Sequence, residues 1–329
     1  MNNHIVKYVF GLFFLVVLMS DACSRSAVKP LAPADSTGVT QPALSGRLLF
    51  HSYSCYSCND SKLYLYDFAA RTLSVLSNGW AISNTMNAHF SPGGKSIVFM
   101  GTPQASDNWD VFIWRIGSAT QPVNLTSKFG ISRDEDPKFS TDGSKIIFKQ
   151  NGQMKEMDTL GNILNSISVA QREASMPYYV KGDTSVLYSG NEATGTTADI
   201  YRVSLITGFV HPLSSLASVE EYYPIARDDT SFLFTRWYSS ANHNDQVYMG
   251  YLNGKISLRL PFNESDQNYS DAFPVNHQYV ILSSTRPGGK GSYDLYLADI
   301  LTGERWSLSS YHAGINSTGN ELGACYSSK

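Results

Sequence analysis

Asp134-Glu135-Asp136-Pro137-Lys138-Phe139-Ser140-Thr141-Asp142-Gly143 is the stretch on which the fold turns, because it recurs. Thr85-Met86-Asn87-Ala88-His89-Phe90-Ser91-Pro92-Gly93-Gly94 is a second copy, and weaker copies centre on Pro177, Pro224 and Pro274. An apolar run follows each, as in Ile97-Val98-Phe99, Ile146-Ile147-Phe148 or Val280-Ile281-Leu282. Then comes an alternating run such as Asp294-Leu295-Tyr296-Leu297-Ala298, and a Thr-Gly or Asn-Gly turn. The period is roughly 45 residues. The last copy, Glu321-Leu322-Gly323-Ala324-Cys325-Tyr326-Ser327, matches only the opening of the unit, and the remainder stands near the other terminus, from Arg47-Leu48-Leu49-Phe50 to Leu76. A repeat opened at one end of a chain and completed at the other describes a closed ring.

Within a unit, strand A ends in a Ser-Pro-Gly-Gly or Ser-Thr-Asp-Gly reversal, whose Pro, Asp and Gly supply the angles of a tight turn. Strand B is the continuous apolar run and strand C alternates, so that one face is apolar. A Thr-Gly or Asn-Gly hairpin leads to strand D, which ends near Leu-Thr or Leu-Ser. Four antiparallel strands in each of six units predict an all-β six-bladed β-propeller over residues 46–329, its ring closed by the C-terminal strand joining the first blade. A blade has two apolar faces and needs a neighbour on each side, which is the physical reason for closure. Only 16% of residues are charged and Tyr is abundant, as suits strands packed face to face. The net charge of −3 and the lack of any Lys/Arg run give no electrostatic footprint for nucleic acid.

Residues 1–22 read as a signal peptide: Lys7, then the largely apolar run from Tyr8 to Met19, then the small residues Ser20 and Ala22 before Cys23. A cysteine at the cleavage point is the arrangement of a lipoprotein, in which the new N-terminal Cys23 is acylated. Residues 23–45 have the Pro/Ala/Ser/Thr composition of a flexible tether. The expectation is an exported domain, in the periplasm or at the outer membrane, meeting the membrane only through a lipid anchor.

The pattern Pro-x-Phe-Ser-Pro-Asp-Gly-x-x-Ile-x-Phe, then Asp-Ile-Tyr, Thr-Gly and Leu-Thr, resembles the WD-like repeat of TolB-type propellers. Units at 84–126, 134–169, 173–214, 220–260 and 269–309 carry it. The N-terminal α/β domain of full-length TolB proteins is not represented. The resemblance implies the fold and leaves the function open, since such repeats occur in envelope scaffold proteins, in propellers attached to serine peptidases and in some polysaccharide lyases. There is no Gly-x-Ser-x-Gly elbow and no room for a hydrolase domain.

Three positions before the repeat Pro or Ala, four units carry a carboxylate: Asp134, Glu221, Asp271 and Glu321. At the mouth of an axial channel these could form an acidic rim for a cation, a basic peptide or a cationic sugar. Alternatively they accept hydrogen bonds from adjacent turns as part of the framework. The B–C connections open on the same face and carry Trp109, then Arg236, Trp237, Tyr238 and His243, then Arg286, which are residue types that anchor peptides or sugars. Cys55 and Cys58 read as a local loop disulfide of an oxidising compartment, and Cys325 as a buried hydrophobic residue. His51, His89, His211, His243, His277 and His312 fall at different levels of different blades, so no metal site and no cofactor are expected. The leading expectation is a monomeric, non-catalytic propeller that binds a protein or peptide partner of the envelope, or a carbohydrate, at the channel mouth. The rival is a polysaccharide lyase with its site on the same face.

One outcome follows for the N-terminus. Cys23→Ser is expected to release the protein from the membrane fraction or leave it unprocessed, read by fractionation and by the size of the mature chain; unchanged partitioning and size would count against acylation.

Overall fold

The computed structural model describes residues 40–104, 106–180, 182–193 and 196–329. The signal-like segment 1–22, Cys23 and most of the tether lie outside the described residues. Among the described residues no helix is long and apolar enough to cross a membrane.

The apolar strand-B runs dictate the architecture. Successive residues of a strand face opposite sides, and here both sides are buried. Ile146 joins the apolar cluster shared with the preceding blade (Val98, Val111, Leu125), whereas Ile147 joins the cluster shared with the next (Tyr188, Tyr201, Val203). Leu187 and Leu233 divide from their neighbours Tyr188 and Phe232 in the same way. The outcome is six four-stranded antiparallel sheets, each packed between two others. Blade 1 is completed by the C-terminal strand, Asn320–Ser327, which pairs antiparallel with Arg47–Tyr53 and sets Leu49 opposite Cys325. The ring expected from the sequence is present, with its closure at the expected strand.

Each innermost strand bends inward at an equivalent residue in the left-handed region, Asn87, Asp136, Met176, Tyr223, Asp271 or Gly323, with φ between 50° and 63°, and blade 2 has a second such residue at Asn84. The pairing register with strand B slips at each of these places. These bulges re-aim side chains toward the axis. They also correct the alignment of blade 6. Asp271 is equivalent to Asp136, not to Asp134, and the residue matching the repeat Pro is Ala272, not Pro274. Tyr269 opposite Ser284 occupies the place of Asp134 opposite Gln150. The spacing to strand B carried this signal: nine residues separate Pro137 from Ile146, but six separate Pro274 from Val280.

Blade 5 departs from the others. Its Ser231–Ser239 and Asn242–Tyr251 strands form a long hairpin, so Arg236, Trp237, Tyr238 and His243 belong to strands, not to a loop as their residue types suggested. Pairing continues as far as Ser239 opposite Asn242, past Arg236, which stands at the level of Gln150 in blade 3.

Removing residues 320–329 is expected to abolish the cooperative thermal transition of the whole domain, because it strips blade 1 of its inner strand and uncovers two blade faces. Circular dichroism melting tests this; a truncated chain melting within a few degrees of the intact one would show that closure is dispensable.

Candidate functional site

The bulged residues build the floor of a funnel. Asn87, Asp136, Met176, Tyr223 and Asp271 line a cavity of about 1130 Å³ that opens on the face carrying the strand-A starts and the B–C connections. Asn87 Nδ2 donates to Asp136 at 2.7 Å, and the Gly323 amide and Ser270 Oγ donate to Asp271 at 3.4 and 3.1 Å. Gly323 matters here for space as well as φ: a Cβ there would stand 2.5 Å from the His51 ring. One layer deeper, where the pairing resumes beyond the bulge, stand His89, Lys138, Tyr178, Ile225, Phe273 and Cys325. His89, Phe273 and Cys325 border a second, smaller depression of about 260 Å³ at the opposite mouth.

The funnel walls differ in chemistry. On blades 3 and 4, Arg133 lies 2.7 Å and Lys149 3.2 Å from Glu135, and Lys149 also pairs with Glu173. Blades 5, 6 and 1 instead contribute Tyr222, Tyr223, Trp237, Asp245, Tyr293 and Tyr53. Tyr222 and Tyr293 both hydrogen-bond Asp245. Tyr56, 63% exposed, stands on the rim within the turn closed by the Cys55–Cys58 disulfide.

Burial pushes the Asp245 carboxyl up to about 6, with the neighbouring Asp271 adding to the shift and the Tyr222 and Tyr293 hydroxyls opposing it. Burial likewise raises Asp271 to about 6, with Asp136 adding and Ser270, Gly323 and Lys138 opposing. Lys138 is itself held below the ordinary lysine value by burial, against the pull of Asp136 and Asp271. His51 and His89 are driven down to about 3 by burial, His89 further by Lys138, so both rings are neutral near pH 7.

Of the sequence-derived candidates, the structure brings Asp271 and Trp237 to the funnel. His243 reaches it only through Trp237, on which it stacks at 3.9 Å. The acidic rim does not form. Asp134, Glu221 and Glu321 are 0% exposed and serve the framework. Asp134 accepts from Gln150 and Ser132, Glu321 from Ser52 and Ser317, and Glu221 from Ser214 and from Arg236 at 2.6 Å. Burial raises all three carboxyls in spite of these donors. Backbone amides of the same residues reach the preceding blade: Asp134 to the Trp109 carbonyl, Glu221 to Ala198, Glu321 to Tyr293. Arg236 is accordingly a structural cation, its guanidinium also lying 4.4 Å from the Tyr248 ring centre. Arg286 lies over Tyr296, and Arg259 over the exposed Tyr238. Trp109 is half-buried and enters the blade contact through its carbonyl. The sequence reading missed Asp136, Asp245, Tyr222, Tyr223 and Tyr293. The one available signal was the Glu221-Tyr222-Tyr223 run beside the repeat Pro, since residues next to a framework carboxylate must point elsewhere. Among the described residues no three His, Cys, Asp or Glu side chains gather as a metal site.

The architecture is similar to that of known propellers. TolB from Acinetobacter baumannii superposes with a TM-score of 0.64 at 16% identity, over 87% of this chain and 67% of that one. Hydrazine synthase from Kuenenia stuttgartiensis gives 0.66 at 12% identity, over 86% of this chain and 47% of that one. The propeller domain of the Trilobed protease from Pyrococcus furiosus gives 0.51 at 14% identity, over 82% of each chain. No family model matches the sequence, and no curated protein does. The fold is a TolB-like six-bladed propeller, and at these identities the likeness concerns the fold alone.

The two funnel carboxyls raised to about 6, Asp245 and Asp271, make stability depend on pH. A carboxyl with a raised folded pKa binds a proton more readily folded than unfolded, so its contribution is present below its ordinary value of 3.8 and is lost as pH rises through about 6. The size is on the order of 3 kcal/mol for each group. Asp271→Asn should remove its share, so the melting temperature of the variant, relative to the unsubstituted protein, is expected to rise between pH 4 and pH 7. A constant difference across that window would contradict the assignment.

Proposed function

We propose that this propeller is a non-catalytic binding module that receives a peptide segment of a partner protein in the funnel, and that it is exported and held at a membrane through acylated Cys23. The observation that carries the reading is the funnel's composition: a concave site with Trp237, Tyr222, Tyr223, Tyr293 and Tyr53 beside charged groups of both signs. Aromatic side chains of this kind supply large contact area at low entropic cost. At about 1130 Å³ the cavity exceeds the volume of a single side chain or monosaccharide. The resemblance of the repeats to those of envelope scaffold proteins supports the same reading.

A lyase acting on an acidic polysaccharide fits less well. Such chemistry needs a base and a cationic group beside the sugar carboxylate. The floor instead holds Asp136 and Asp271, and the histidine that lines the funnel, His51, receives the Asn87 amide at 3.4 Å and stacks against Tyr53.

The full chain, tagged and solubilised, should capture a partner from an envelope extract of the source cells. Trp237→Ala is expected to weaken that capture by about tenfold or more, as for a central aromatic anchor. Lys255→Ala, exposed beside a turn of the opposite face, should leave it unchanged. Loss with Lys255→Ala and retention with Trp237→Ala would place the binding surface elsewhere.

A further inference from the structure

We propose that the funnel selects a peptide that carries a lysine or arginine, the cationic head lodging between Asp271, Asp245 and the surrounding tyrosines. The proposal deepens the reading of the funnel as a peptide site and rests on it.

Charge segregation is the first ground. On the wall of blades 3 and 4 the acids are already answered, because Arg133 and Lys149 flank Glu135 and Lys149 also holds Glu173. On the floor and the opposite wall stand Asp136, Asp245 and Asp271, all nine-tenths or more buried. Lys138, from the layer beneath, acts on Asp136 and Asp271. These three deeply buried carboxylates face one ammonium, and the half-buried Glu220 of blade 5 adds a further acid to the lining, so the negative charge is in excess. Buried charge without a counter-charge is costly, and a cation brought by the ligand would remove that cost on binding. Burial raises the Asp245 and Asp271 carboxyls, and the neighbouring acids add to the rise in each.

The lining supplies the second ground. Tyr53, Tyr222, Tyr223 and Tyr293 share the cavity with these acids, and the phenols of all four are raised by burial with Asp271 adding to each. Aromatic faces beside carboxylates attract ammonium and guanidinium groups by their quadrupole as well as by charge. Among the described residues these carboxylates do not gather as a metal site. An organic cation with three to five N–H donors can reach several acceptors set apart, which a single ion cannot.

The test is calorimetric titration of the full chain at pH 7.5 with acetylated, amidated Gly-Gly-Lys-Gly-Glu, and with the peptides bearing arginine, norleucine or glutamate in place of the lysine. Lysine and arginine peptides should bind saturably, and the norleucine and glutamate peptides at least tenfold more weakly. Asp271→Asn and, separately, Asp245→Asn should each weaken the lysine peptide at least tenfold and leave the norleucine peptide unaffected. Using both variants keeps the result readable if one disturbs folding, which thermal melting reports. Equal affinity for lysine and norleucine peptides, or no effect of either Asn variant, would overturn the inference. Should the norleucine peptide bind as well as lysine and lose its affinity in Trp237→Ala, the funnel remains a peptide site and only the cation selection fails. No binding of any peptide overturns the cation proposal, and capture from extract then decides the funnel separately. A fully deacetylated glucosamine tetramer that binds where the peptides do not would show that the cation comes from a sugar, which also overturns the proposal.

Discussion

Pairing of Asn320–Ser327 with Arg47–Tyr53 is the interaction on which the other features depend. A propeller blade buries both faces, so an open ring would leave two of them wet. The largest apolar cluster lies at this closure, where Leu48, Leu49 and Phe50 meet residues of blades 2 and 6. The strand pairing is reinforced at its margins: Arg47 donates to the Lys329 carbonyl, and Ser52 Oγ donates to the buried Glu321 at 2.7 Å. Closure also assembles the funnel floor. Gly323 comes from the C-terminal strand, the His51 ring against it from the N-terminal half of the same blade, and Asp271, which accepts the Gly323 amide, from blade 6. The site therefore cannot exist before the two ends of the chain meet.

Two residues of offset separate framework from function. Asp134 and Asp136 sit on one strand, yet Asp134 turns into the blade contact and Asp136 into the funnel, because a bulge interposes between them and the next paired residue. Blade 6 shows the same rule from the other side: Asp271 reaches the axis since it occupies the bulge, and Tyr269 takes the framework place, its hydroxyl donating to Glu264. In this geometry a carboxylate's role is set by its distance from the bulge and not by its distance from a proline.

The funnel couples shape to charge. Its basic wall is neutralised within the protein, whereas its acidic, tyrosine-rich wall is only partly answered by Lys138. Desolvation is tolerable for these aspartates because hydroxyls and amides meet them, Tyr222 and Tyr293 at Asp245, Ser270 and Gly323 at Asp271. Similar donors surround Asp134 and Glu321, but those carboxylates have no cavity before them. The contrast separates a site from a support.

Much of this architecture was legible in the chain. Recurrence of the Pro/Ala–Phe–Ser turn units gave six blades, and the split of one unit between the termini gave the closing strand, even to Cys325 opposite Leu49, because strand pairing and turn chemistry are local and periodic. Continuous apolar strand-B runs gave blades buried on two faces for the same reason. The candidate site was less accessible. Asp271 and Trp237 were among the residues singled out, but Asp134, Glu221, Glu321 and Arg236 belong to the blade framework, and Asp136, Asp245 and the tyrosines escaped notice. A one-residue bulge reverses which face a side chain takes, and the left-handed backbone that produces it is carried by Asn, Asp, Met, Tyr and Gly alike. Nor does any local pattern foretell that Tyr293 of blade 6 and Tyr222 of blade 5 will both meet Asp245, for that contact requires the curvature of the closed ring. Sequence period determined how many blades there are and where the ring is sealed; only tertiary closure decided which carboxylates face the funnel and which face their neighbours, since that choice depends on burial and on partners far apart in the chain.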